Sequence, residues 1–115
     1  MTPIVTRLAA NTAFSLSTPV AQPLGEPISQ TRTAASQALE NPNVAFGIWE
    51  CTPGTWRRQV LQAEYSYFIS GQGIFTPDEG EAVQFQAGDA IYFAPKTTGV
   101  WDIRETVTKH YFIVG

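Results

Sequence analysis

Glu64-Tyr65-Ser66-Tyr67-Phe68-Ile69-Ser70-Gly71 and, further on, Gly88-Asp89-Ala90-Ile91-Tyr92-Phe93-Ala94-Pro95 are the two stretches whose reading decides the fold. Both are rich in aromatic residues, and each is bounded by a glycine, as strands that run into tight bends are. Period-two alternation puts Glu64, Ser66 and Phe68 on one face of a strand and Tyr65, Tyr67 and Ile69 on the other. Working outward, similar short runs cover 44–51, 56–61, 74–76, 82–85, 90–94, 100–103 and 107–114, divided by turn residues. Thr52-Pro53-Gly54 and Pro77-Asp78-Glu79-Gly80 supply a fixed φ and a glycine where tight turns want them. No stretch reads as a long amphipathic helix, so an all-β sandwich or barrel is expected from residue 44 to 115.

Residues 1–43 differ, with prolines at 3, 19, 23, 27 and 42 and many Ser, Thr and Ala. They read as an extended Pro-rich arm lying over the barrel, with one weak strand at 31–39. A helix over 33–40 is the alternative, since Ala, Gln and Leu favour it. At 115 residues the chain has the size of one domain. Hydrophobic residues at 43% against charges at 15% describe a packed core. A net charge of -3 with no basic run argues against nucleic acid. The N-terminus lacks a cationic start and a long apolar run, and nothing approaches a membrane span, so a cytoplasmic location away from any membrane is expected. Cys51 is the single cysteine, which rules out an intrachain disulfide and a thiolate cluster. It reads as a small buried strand residue.

Four segments together resemble the cupin superfamily, and within it the small single-domain branch related to the cupin halves of (S)-ureidoglycine aminohydrolase. They are Gly47-Ile48-Trp49-Glu50-Cys51-Thr52-Pro53-Gly54, Glu64 through Gly71, Gly88-Asp89, and Trp101-Asp102 through Glu105-Thr106-Val107-Thr108-Lys109-His110-Tyr111. The resemblance implies a jelly-roll β-sandwich around a central cavity, with homodimers common.

It also allows the family's metal slots to be checked. The first motif runs His-x-His, then Glu, then Gly, and counting back from Gly71 puts Glu64 on the glutamate. The His-x-His slots fall on Arg58 and Val60, or on Arg57 and Gln59. In the second motif the proline, glycine and histidine slots fall on Ala94, Lys96 and Gly99, with Pro95 one position late. Glu64 alone is too few ligands for a metal centre. No cofactor is therefore expected. A divalent Mn, Zn, Fe or Ni held through Glu64 with His110, Asp102 or Cys51 stays open.

By the resemblance the Glu64 face points into the barrel. There Glu64 either pairs with Arg57 or Arg58 of the preceding strand or anchors a small-molecule ligand. His110, the single histidine, alternates with Phe112 and Val114, while Lys109, Tyr111 and Ile113 take the other face. It reads as structural, or as an acid–base partner should it face Glu64 across the cavity. Tyr92 and Trp101 are candidates to line the mouth. Two functions remain. One is a cupin that binds a small polar metabolite through Arg58, Gln59, Glu64, Tyr92 and Trp101. The other is a small enzyme, aminohydrolase-like and metal-dependent through an unusual ligand set or isomerase-like and metal-free, with Glu64 and His110 as catalytic pair.

Overall fold

A computed structural model of the chain describes residues 5–9, 13–38 and 44–114. Eight strands follow one another: β1 (Thr18–Pro19), β2 (Gln30–Ala38), β3 (Val44–Cys51), β4 (Gly54–Val60), β5 (Ala63–Pro77), β6 (Val83–Gln86), β7 (Ala90–Phe93) and β8 (Thr97–Val114). There is no helix among the described residues, and hence none long and apolar enough to cross a membrane. The class is all-β, every pairing is antiparallel, and the arrangement is that of a jelly-roll sandwich.

Two strands are much longer than the sequence pattern suggests. The runs at 64–70 and 74–76 join into the 15-residue β5, and those at 100–103 and 107–114 join into the 18-residue β8. These two strands pair along most of their length and serve both layers. The C-terminal part of β8 lies between β3 and the start of β5, while its N-terminal part pairs with β4 and the end of β5. β7 pairs with the first half of β5 and β6 with the second half. The crossing from one layer to the other falls at the register shifts between Phe68 and Gly73. Gly71 makes that bend possible. Its φ is 89°, and a Cβ there would run into the backbone of Thr106 and Val107 on β8. The glycine read as the end of a strand is the corner of a continuous one.

Inside the sandwich, Trp101 is the hub of an aromatic core. Its ring lies 4.9 Å from Phe75, 5.6 Å from Phe85 and 5.7 Å from Phe93, and Phe68 stacks on Phe85 at 4.2 Å. Cys51 is fully buried against this cluster. Gly88-Asp89 closes a tight turn onto β5, exchanging backbone hydrogen bonds with Phe68 at 2.9 Å each.

The N-terminal arm enters the sheet. β2 is a full strand beside β3, where a helix was the alternative. The expected end of that strand at Leu39, and the junction Asn41-Pro42-Asn43, lie outside the described residues. Upstream, Leu24 donates its N–H to Thr55, and Arg57 donates to Gln22, so the arm covers the otherwise open edge of β4.

The corner predicts a graded response in urea unfolding. Gly71→Ala combines an unfavourable φ with a backbone clash and should cost about 3 kcal/mol. Gly88→Ala, whose φ of 95° is equally left-handed but whose Cβ meets open space, should cost only about 1 kcal/mol. Equal losses would mean that the close approach at β8 is not what fixes Gly71.

Candidate functional site

Inward-facing residues of β5 and β8 create a polar center in an apolar barrel. Glu64, Ser66 and Phe68 of β5 are all buried, whereas Tyr65, Tyr67 and Ile69 are exposed. Antiparallel register sets Phe68 opposite Lys109 and Ser66 opposite Tyr111, so Lys109 shares the interior face. Its ammonium donates to Glu64 Oε2 at 2.7 Å and to Ser66 Oγ at 2.9 Å, and Ser66 Oγ in turn donates to the same carboxylate oxygen at 2.8 Å. The rings of Trp49, Trp101, Phe93 and Phe68 surround the ammonium at 4.8, 5.3, 5.4 and 5.9 Å from their centroids. Both side chains of the ion pair are only 5% exposed.

The expected partner of Glu64 therefore changes. Arg57 turns away to Asp78, at 2.6 Å, and Arg58 stays at the surface; neither makes the salt bridge to Glu64. Nor does His110 face Glu64. It sits opposite Ile48 and Tyr67 on the other side of the sheet, in an outer groove with Thr6, Leu8, Phe46 and Tyr65. Adjacent residues on a strand point to opposite faces, so placing Lys109 inside puts His110 outside.

A cavity of about 270 Å³ opens over the pair, lined by Thr33, Trp49, Arg58, Glu64, Trp101, Lys109, Tyr111 and Ile113. The structure thus brings three of the expected ligand-binding residues together: Arg58, Glu64 and Trp101. Gln59 lines a neighbouring depression of about 300 Å³ that shares Trp49 and Arg58 with the cavity and is bordered by residues 19–22 of the arm. Tyr92 is placed outside: it pairs with Tyr65 across β5 and β7 and is 64% exposed. Trp101 lies deep in the core where a position at the rim was expected, and its indole N–H has no acceptor among the described residues.

Lys109 is the residue that reading the sequence missed, and a signal for it was present. Trp101, Ile103 and Val107 are all buried, all odd-numbered and all on β8. Continuing that parity carries Lys109, Tyr111 and Ile113 inward.

Electrostatics follow from the burial. Loss of solvent pushes the Glu64 carboxyl up, but the charge and hydrogen bond of Lys109, then Ser66 and the charge of Arg58, outweigh it and hold the group below its ordinary value. For Lys109 burial is the larger force and pushes the ammonium down, with Glu64 opposing it. Burial also pushes the Cys51 thiol up to about 11. A divalent metal does not fit these donors. Among the described residues no three His, Cys, Asp or Glu side chains converge. The carboxylate oxygen that would ligate already takes an ammonium, Cys51 is held as the neutral thiol, and Asp102 pairs with Arg104.

Breaking the pair on one side should be costly and breaking it on both sides mild. Glu64→Gln leaves a buried ammonium without its counter-charge and should cost about 3 kcal/mol in chemical denaturation, whereas Glu64→Leu with Lys109→Met should recover most of that loss. Because the folded carboxyl titrates below its ordinary 4.5, its contribution is complete above that pH and is lost as pH falls through the lowered folded value. Lys109 acts in the same sense in a higher window: its weakened folded proton opposes stability at lower pH, and that penalty fades as pH rises toward 10.5. The double variant should lack both dependences. An acid limb of the stability curve unchanged in it would show that other carboxylates set that limb.

Comparison with known proteins adds the family to this geometry. The protein of unknown function from Pseudomonas syringae pv. tomato str. DC3000 superposes with a TM-score of 0.70 at 22% identity, over 87% of this chain and 45% of that one. This chain thus spans under half of that protein's length. The EutQ protein of Clostridium difficile matches with a TM-score of 0.62 at 19% identity, over 75% of this chain and 67% of that one. Ectoine synthase from P. lautus matches with a TM-score of 0.61 at 14% identity, over 72% and 62%. At these identities the likeness shows a shared fold alone. No curated protein sequence matches the chain. Residues 40–111, from just before β3 to near the end of β8, match the EutQ-like cupin domain, and the chain belongs to that family.

Proposed function

We propose that this small cupin binds a small organic anion, of the size of a short carboxylic acid, in the cavity above Lys109. The observation that carries this reading is the charge of the lining: two cations, Arg58 and Lys109, against one carboxylate, Glu64, leave one positive charge in a chain of net charge -3. Arg58 forms no ion pair with a described residue, and its planar guanidinium at the entrance suits a carboxylate. At about 270 Å³ the cavity has room for roughly ten non-hydrogen atoms, judged by the volume that water takes in the liquid. The resemblance to the ureidoglycine aminohydrolase cupins is in keeping with a ligand inside the barrel; a metal-dependent aminohydrolase reaction does not carry over to this donor set. The reading places the protein in the cytoplasm, where such acids are abundant, and away from nucleic acid and membranes.

Thermal denaturation with a panel of small acids tests it. Acetate, lactate, pyruvate and succinate at millimolar concentration should raise Tm, and neutral amides or amines of matching size should not. Arg58→Gln, at an exposed position, should fold normally and weaken the response about tenfold or more. Stabilisation by amines equal to that by acids would overturn the reading.

The same reading makes the chain a homodimer. Tyr65, Tyr67, Ile69, Tyr92 and Phe112 are all exposed, and Tyr92, Tyr65 and Phe112 sit side by side across β7, β5 and β8, an apolar face of the kind that associates. Native mass spectrometry should show a dimer, and Tyr65→Lys with Tyr92→Lys should give a folded monomer. A dimer that persists in the double variant would place the contact elsewhere.

A further inference from the structure

The following rests on the reading of the cavity as a pocket for small organic anions, and adds the group on the ligand that reacts. We infer that Lys109 captures the carbonyl carbon of a small 2-oxo acid as a protonated Schiff base, while Arg58 holds the acid's carboxylate and Glu64 carries the proton.

The geometry provides each part. Lys109 is one of two lysines in the chain; Lys96 lies exposed on a turn. The Lys109 amine is held in place by Glu64 and Ser66, its stem is covered by aromatic rings, and its side chain lines the cavity. A nucleophilic lysine has to be neutral when it attacks, and here the base that can relieve it of a proton lies 2.7 Å away. Burial disfavours the charged amine and so works in the same direction. A pair that only tied two strands together would need no open cavity beside it.

The chemistry balances with no further reactant. The ammonium of Lys109 passes one proton to Glu64, and the freed lone pair attacks the carbonyl carbon. A C–N bond forms as the carbonyl π pair moves to oxygen, which takes the proton from Glu64. The nitrogen then returns a proton to Glu64, and that proton leaves with the hydroxyl as water while the nitrogen lone pair closes the C=N bond. Ammonium and carbonyl have become iminium and water, with no change of oxidation state. The pair begins and ends as one positive charge beside one carboxylate, so forming the C=N bond adds no charge to it. Lactate, with a hydroxyl in place of the carbonyl, has the same carboxylate and nearly the same size but cannot react.

The test uses the native chain with pyruvate and sodium cyanoborohydride, peptide mapping by mass spectrometry, and lactate as the unreactive counterpart. Lys109 should gain one reduced pyruvate per chain about tenfold or more faster than Lys96, lactate should slow that gain, and the preference should vanish in urea. If pyruvate and lactate both raise Tm but Lys109 gains nothing, or no more than Lys96, covalent capture is overturned and the anion pocket stands. If neither acid raises Tm and no adduct forms, the pocket and the capture fall together.

Discussion

An ammonium and a carboxylate 2.7 Å apart, sealed between two sheets, set the terms for the rest of this barrel. Taking two charges out of water costs several kcal/mol for each, and their attraction offsets that only when the remaining donors and acceptors are also satisfied. Ser66 meets part of that need by bonding to both partners. Four aromatic faces meet another part, since the electron-rich face of a ring stabilises a nearby cation. The same rings cover the apolar stem of Lys109, so one set of residues packs the core and supports the charge.

The pair can exist because β5 and β8 run side by side through both layers. Glu64 and Ser66 come from one and Lys109 from the other, on a shared inward face, with Phe68 directly opposite Lys109 and Ser66 opposite Tyr111. A strand that serves two sheets has to bend, and the bend falls at Gly71, a few residues beyond Ser66, where only a glycine fits against β8. Glu64 stands at the position where related cupins place a metal ligand. In this chain the cation beside it is part of the polypeptide, and the carboxylate is already engaged.

Much of the fold could be read from residue order, because turn residues and alternation are local signals. The run at 44–51 coincides with β3, and the Pro77–Gly80 and Gly88-Asp89 turns lie where their composition put them. Strand length was harder. Gly71 and Gly73 resemble a break between strands, and what keeps β5 going is its ladder with β8, a long-range contact invisible in a window of ten residues. Orientation was harder still, because polarity is reversed here. The inward face of β5 begins Glu, Ser, Phe, and the outward face reads Tyr, Tyr, Ile. Hydrophobicity alone would turn that strand over, and Tyr92, a candidate for the mouth, pairs with Tyr65 on the exposed side. His110 and Lys109 are neighbours with similar flanks, and only the parity running back to Trp101 distinguishes them.

That reversal separates two tasks by side of the sheet. At the start of β5, Glu64 and Ser66 face inward, where water is scarce and each charge acts strongly on what enters, while Tyr65 and Tyr67 face outward, where another surface can cover them. Entry to the interior passes Arg58, the exposed residue shared by the cavity and the depression beneath the arm. A molecule entering there meets a guanidinium first and a buried ammonium last, with one carboxylate between them already bound. A cation would be repelled at both points, and a neutral molecule would lose its hydration with few groups to replace it. On the proposed reading a small anion is attracted at the entrance and again at depth, and its far end comes against the amine of Lys109, which is where a reactive carbonyl would have to be.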